Sequence, residues 1–144
     1  MQREDAVAAG PAPTRLDDPV TIGDTSILID CFTGPRRCAP SLYRAIETRE
    51  VILIPSLVLY EWLRGPRKPE ELAEQEAIFP SRMAIPFGPE EAAVSARLYR
   101  SVSRPRGREI DLGIAAYAIL RDAQLWTLKR DDFKDIPGLR LASF

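Results

Sequence analysis

Apolar and polar positions alternate along the chain in short blocks, and the period of each block indicates a strand or a helix. Short apolar runs typical of buried strands occupy residues 20–23, 51–54, 83–87, 125–128 and 139–142. Segments typical of helices occupy residues 26–32, 41–49, 56–64, 69–79, 89–102 and 109–120. Because strands and helices alternate, the pattern predicts an α/β fold, with a mostly parallel sheet that carries helices on both faces.

The first 19 residues lack this pattern. They are rich in Ala, Pro and charged residues and show no apolar periodicity. We therefore predict a flexible N-terminal extension over residues 1–19 and a single domain over residues 20–144. Within the domain, Ser56 is a good N-cap for the helix that follows the second strand, and Gly65 ends that helix.

Composition limits the possible chemistry. The chain has 144 residues, of which 45% are hydrophobic and 28% charged, as expected for one globular domain. It has no histidine, which excludes Ser-His-Asp and Cys-His catalysis. Its two cysteines, Cys31 and Cys38, are too few for a disulfide scaffold and are expected to be reduced thiols in or near the core. With no membrane-spanning run and no signal peptide, the expected location is the cytoplasm, without a membrane partner.

Net charge gives no support to nucleic-acid binding by the protein as a whole. The formal charge is −1, whereas nucleic-acid-binding domains usually carry a basic face. Arginines nevertheless cluster locally, at Arg64 and in the loop that contains Arg106 and Arg108. A local cluster of this kind is enough for phosphate contacts.

Acidic residues recur where predicted strands end. Asp24 directly follows the first strand, Glu61 lies in the helix after the second, and Asp131 and Asp132 follow the strand at 125–128. Asp111 lies in the first turn of the helix that precedes that strand. Each acid alone is explained by helix capping or solvent exposure. Because the carboxyl ends of parallel strands share one edge, the acids together predict a common site there.

Converging carboxylates need a compensating charge or proton. Two of them about 4 Å apart repel each other by roughly 4 kcal/mol at an effective dielectric constant near 20. A raised pKa or a bound cation offsets that repulsion. An all-oxygen site without His or Cys is typical of Mg²⁺ or Mn²⁺, ions that also hold phosphates during in-line displacement.

Four segments of the sequence resemble the PIN-domain ribonucleases. They read "GDTSILID", "LYEWLRG", "EIDLGIAA" and "LWTLKRDDFKDIPGL", and the resemblance covers residues 20–144. Within that family the chain is similar to the VapC-type toxins of bacterial VapBC toxin–antitoxin pairs. The resemblance implies a three-layer α/β/α PIN-like fold with a parallel sheet of about five strands. It also implies Mg²⁺- or Mn²⁺-dependent hydrolysis of RNA, homodimers, and a VapB-type antitoxin whose C-terminal segment occupies the active-site groove.

By position, the resemblance assigns four acids as metal ligands and catalytic residues: Asp24, Glu61, Asp111 and Asp132. Ser26 and Thr127 match hydroxyl residues that support the site. The chain departs from the pattern at Lys129, two residues after Thr127, where many relatives have Asn or Asp. The fourth acid is then Asp132, with Asp131 as its alternative.

The leading hypothesis is a metal-dependent endoribonuclease of the toxin type that leaves 5′-phosphate and 3′-hydroxyl ends. Four basic residues are candidate RNA phosphate contacts: Arg64, Arg106, Arg108 and Lys129. Lys129 also supports an alternative, a catalytically weak PIN domain that binds RNA or antitoxin, because a cation beside the site competes with the metal. A phosphorylated receiver domain is disfavoured, since "MAIPFGPEE" has no aspartate at the end of its strand.

Overall fold

A computed structural model describes residues 20–144, which form one parallel sheet of four strands flanked by helices. The predicted extension over residues 1–19 lies outside the described residues. The strands are β1 (Val20–Gly23), β2 (Val51–Leu53), β3 (Gln124–Trp126) and β4 (Arg140–Leu141). The helices are α1 (Thr25–Phe32), α2 (Ala39–Glu47), α3 (Ser56–Arg64), α4 (Pro69–Ile78), α5 (Pro89–Ser101) and α6 (Glu109–Leu120).

The strand order is β2-β1-β3-β4, so that β1 lies inside the sheet. In the β1–β3 pair, Gly23 lies opposite Trp126. The residues after these two, Asp24 and Thr127, therefore leave the sheet side by side at its carboxyl edge. Within residues 20–144, no helix has both the length and the apolar character needed to cross a membrane.

The prediction of a strand at residues 83–87 was wrong. Ser81–Met83 forms a short 3₁₀ helix, and Ile85 then makes an isolated bridge with Pro55, two residues beyond the end of β2. Pro86 has no backbone N–H to continue a ladder, so pairing stops there. The sheet accordingly has four strands where about five were expected.

The predicted helices are confirmed, with small changes at their ends. The expected N-cap at Ser56 was wrong by one residue: Pro55 occupies that position, and Ser56 is the first helical residue. The backbone N–H of Ser56 donates instead to Ile85 O at 2.9 Å. The same bridge that replaced the missing strand therefore fixes the start of α3.

A buried polar contact holds α3 in place. Trp62 is fully buried and its indole Nε1 donates to Gln75 Oε1 of α4 at 3.1 Å. The Gln75 amide also donates to Phe79 O at 2.8 Å. The Trp62 ring meets Phe32 of α1 edge to face, with 6.0 Å between ring centroids. Glu61, the residue before Trp62, is therefore carried on a helix anchored to both α1 and α4.

Replacing Gln75 with Leu is expected to lower the free energy of unfolding by about 1–3 kcal/mol, because it leaves the buried Trp62 N–H without an acceptor. Urea denaturation would measure the change. In a double-mutant cycle with Trp62→Phe, the loss in the double variant should be smaller than the two single losses added together. Strict additivity would show that the contact contributes nothing.

Candidate active site

Asp24 lies at the carboxyl end of β1, with only 3% of its surface exposed. Its backbone occupies the N-cap position of α1, yet its side chain makes no capping hydrogen bond. Its backbone N–H donates to Trp126 O at 3.0 Å, which ties it to β3. Helix capping therefore does not explain this buried carboxylate.

Two hydroxyl groups fix the Asp24 carboxylate. Thr127 Oγ1 donates to Asp24 Oδ2 at 2.7 Å, and Ser26 Oγ donates to the same oxygen at 2.9 Å. Each hydroxyl in turn accepts a backbone N–H from the segment after β3: Lys129 N to Thr127 Oγ1 at 2.9 Å, and Leu128 N to Ser26 Oγ at 3.0 Å. Both hydroxyl protons are thus committed to Oδ2, and Oδ1 is the oxygen left for a ligand.

Glu61 is oriented by a residue that the sequence analysis did not assign. Thr25 Oγ1 donates to Glu61 Oε1 at 2.6 Å, from the first residue of α1 to the middle of α3. The other oxygen, Oε2, lies 3.4 Å from Arg64 Nη2. The signal was the first hydroxyl in "DTS", that of Thr25 directly after Asp24, but its partner lies 36 residues further along the chain.

The Asp111 carboxylate lies within range of the charges of the other acids of the site. Burial, and after it the charges of Asp24, Glu61 and Asp132 in that order, raise the pKa of its carboxyl from the ordinary 3.8 to about 6, against a lowering by Lys129. None of the described residues donates a hydrogen bond to it. This carboxylate is therefore held near the other acids without a compensating donor.

These side chains line one cavity of about 170 Å³. Its lining residues are Asp24, Thr25, Ser26, Ile29, Glu61, Arg64, Asp111 and Lys129. Three of the four predicted acids are thus brought together with one predicted supporting hydroxyl residue and two predicted phosphate contacts. The second supporting residue, Thr127, is buried behind Asp24.

The fourth acid lies at the margin of the cavity. Asp132 is exposed in a 3₁₀ helix, Arg130–Asp132, and is outside the lining, although its charge acts on Asp111. Asp131 has 90% of its side chain exposed and pairs with Lys134 at 3.2 Å. Of the two neighbouring acids, Asp132 is the one whose charge reaches the site.

The remaining predicted phosphate contacts lie outside the cavity. Arg108 binds both carboxylate oxygens of Asp135, at 2.6 and 2.9 Å, and donates to Asp132 O at 3.0 Å. It therefore fastens the loop after β3 to the start of α6. Arg106 is exposed in the loop between α5 and α6.

The donor set fits a hydrated hard cation. Carboxylates are the ligands that Mg²⁺ and Mn²⁺ prefer, and Mg²⁺ usually keeps several waters while binding one or two carboxylates directly. Within residues 20–144, no three acidic or cysteine side chains stand close enough to form a ready-made metal cage. Carboxylates spaced around a cavity are what an ion that keeps its waters needs.

Comparison with known proteins agrees with this geometry. The model of the PIN domain family matches residues 22–139. Ribonuclease VapC19 of Mycobacterium tuberculosis is 35% identical over 119 residues, which cover 81% of this chain and 94% of the relative.

Two solved structures support the same assignment. One is VapBC2 from Rickettsia felis bound to a promoter DNA fragment, with 26% identity, a TM-score of 0.70, and coverage of 87% of this chain and 98% of that chain. The other is a toxin–antitoxin complex from Klebsiella pneumoniae, with 26% identity, a TM-score of 0.65, and coverage of 83% and 94%. The fold, the cavity of acids at the carboxyl edge of the sheet and these matches lead to one conclusion. The chain belongs to the PIN domain family.

Proposed function

We propose that this protein is a metal-dependent endoribonuclease, the toxin of a type II toxin–antitoxin pair, which hydrolyses RNA phosphodiester bonds. The observation that carries the proposal is the single cavity lined by Asp24, Glu61 and Asp111, in which burial and then the neighbouring carboxylates raise the pKa of Asp111 to about 6. Such a cavity favours binding of a divalent cation, and a relative with 35% identity is a ribonuclease.

The carboxylates of Asp24, Glu61 and Asp111 would hold Mg²⁺ or Mn²⁺, with Asp132 adding negative charge from the margin as the fourth acid. When bound, the ion activates water and neutralises charge that develops on the phosphate. Thr127 and Ser26 keep Asp24 in one orientation, and Thr25 does the same for Glu61.

Basic residues around the cavity have different roles in this proposal. Arg64 lines the cavity with half of its side chain exposed, so it can contact an RNA phosphate while its charge remains near Glu61. Arg106 is exposed in its loop and could contact a phosphate further along the RNA. Arg108 positions the loop after β3 through Asp135 rather than contacting RNA.

We further propose a VapB-type antitoxin and a second copy of this chain as protein partners, with action in the cytoplasm, where RNA is available. The Klebsiella pneumoniae and Rickettsia felis relatives support the antitoxin, since both are toxin–antitoxin assemblies. Tyr60 and Leu63 on α3 are each about half exposed, as expected of side chains that a protein partner covers.

The test is cleavage of RNA by the purified protein with Mg²⁺ or Mn²⁺, with EDTA, and with metal restored after EDTA. We expect cleavage only when metal is present, with 5′-phosphate ends. Cleavage that continues in EDTA would contradict metal dependence.

A second function, an RNA- or antitoxin-binding module with little catalysis, is favoured by Lys129, which places a positive charge in the cavity. Tight RNA or antitoxin binding without cleavage at any Mg²⁺ or Mn²⁺ concentration would establish that alternative.

A further inference from the structure

Lys129 is a cation built into the cavity of carboxylates. It lines the cavity together with Asp24, Glu61 and Asp111, and its backbone N–H is fixed by Thr127 Oγ1. Within residues 20–144 its ammonium forms no ion pair. Its charge nevertheless acts on Asp111. The side chain thus brings an uncommitted positive charge to the place where RNA phosphate would bind.

The net charge of the side chains in and beside the cavity matches one divalent ion. Three carboxylates line it and Asp132 stands at its margin, whereas Arg64 and Lys129 supply two positive charges. Two negative charges remain, which a single Mg²⁺ or Mn²⁺ neutralises. A second divalent ion would give the site a net positive charge, so its binding is disfavoured.

We propose that Lys129 takes the place of a second metal ion: the site binds one divalent cation, and the Lys129 ammonium contacts the scissile phosphate of the RNA. This inference rests on the proposed ribonuclease function. During hydrolysis the water oxygen bonds to phosphorus, the bond between phosphorus and the 3′ oxygen breaks, and a water proton passes to that leaving oxygen. Lys129 keeps its proton and offsets the negative charge on the phosphate.

Mn²⁺ binding to the full chain, measured by calorimetry without RNA, tests the stoichiometry. We expect one Mn²⁺ per chain for the wild type and for Lys129→Arg, and two for Lys129→Asp. Lys129→Asn should bind its first Mn²⁺ at least about threefold more tightly, because a nearby positive charge is removed. The matched control is Lys134→Asn, which removes an exposed cation paired with Asp131 outside the cavity and should leave binding unchanged.

RNA provides the second measurement. In EDTA, Lys129→Asn should reduce the slope of log affinity against log salt by about 0.7, the loss of one single-strand phosphate contact. With one Mn²⁺ bound, it should cleave RNA at least about tenfold more slowly, whereas Lys129→Arg should keep most of the rate.

Two Mn²⁺ ions on the wild type, or one on Lys129→Asp, would overturn this inference and leave the ribonuclease proposal standing. Absence of Mn²⁺ binding and of cleavage in every variant would overturn the proposed function instead. Because Lys129 is exposed, its replacement removes little packing, and a cooperative unfolding transition in each variant would confirm that the comparison is between folded proteins.

Discussion

Replacing Asp111 with Asn is expected to reduce RNA cleavage by about a hundredfold or more and, in metal-free buffer at pH 7.5, to make the protein more stable. Cleavage falls because a metal ligand is lost, and metal catalysis contributes several kcal/mol. Stability rises because the neutral amide removes a charge that burial and Asp24 disfavour. A change that inactivates and stabilises together marks a residue kept for function.

The sign of the stability effect follows from the pKa. The Asp111 carboxyl titrates at about 6 in the folded protein and near 3.8 when unfolded, so the folded state holds its proton to higher pH. Stability therefore falls as pH rises through this interval, and the full cost is present above it. After allowance for solvent screening, we expect Asn to recover about 1–2 kcal/mol at pH 7.5 and nothing near pH 3.5.

Thermal unfolding in EDTA at both pH values measures this difference. Glu109→Gln is the matched control, because Glu109 lies in the same first turn of α6 but is exposed and outside the active-site cavity. It should change neither cleavage nor the pH dependence of stability. An Asp111→Asn protein that still cleaves RNA, or that is less stable than the wild type at pH 7.5, would refute the assignment of Asp111.

Replacing Thr127 with Val is expected to lower cleavage about 10- to 100-fold, the usual effect of removing a group that orients a metal ligand. Valine keeps the shape of this buried side chain but has no hydroxyl. Asp24 Oδ2 then loses one donor, and the Lys129 N–H loses its acceptor. The unpaired groups should also lower the free energy of unfolding by about 1–3 kcal/mol.

Thr127→Ser should restore most of the activity, since it returns the hydroxyl. Thr48→Val serves as the control because Thr48 Oγ1 donates to Ala45 O at 3.1 Å, on α2 and outside the cavity lining. It removes a hydroxyl bond without touching Asp24. Equal activities of Thr127→Val and Thr48→Val would mean that the orientation of Asp24 does not limit the reaction.

The sequence was sufficient to predict the edge at which the site forms. Asp24 ends an apolar run, and Glu61 and Asp111 lie in helices whose positions relative to parallel strands follow from topology. The rule that such strands end at a common edge then brings the acids together without any knowledge of side-chain packing. The prediction of a strand at residues 83–87 was wrong, because the apolar run there resembled a strand while Pro86 prevented pairing.

Contacts between distant side chains could not be predicted in the same way. The Thr25–Glu61 hydrogen bond depends on how closely α1 approaches α3, and the Arg108–Asp135 pair on where the loop after β3 returns. The spacing of apolar positions along the chain predicts helices and strands but neither of these distances. Arg108 was accordingly predicted as a phosphate contact, without its pairing with the Asp135 carboxylate.

The strand order has a consequence for the synthesis of the protein on the ribosome. Asp24 depends on Thr127, 103 residues later in the chain, because β1 pairs with β3 inside the sheet. A growing chain therefore displays Asp24, Glu61 and even Asp111 before the hydroxyl that orients the first of them has been synthesised. We therefore expect the nascent chain to be inactive until β3 has emerged from the ribosome and paired with β1. Translation of a potentially harmful nuclease can then proceed without cleavage of the mRNA that is being translated.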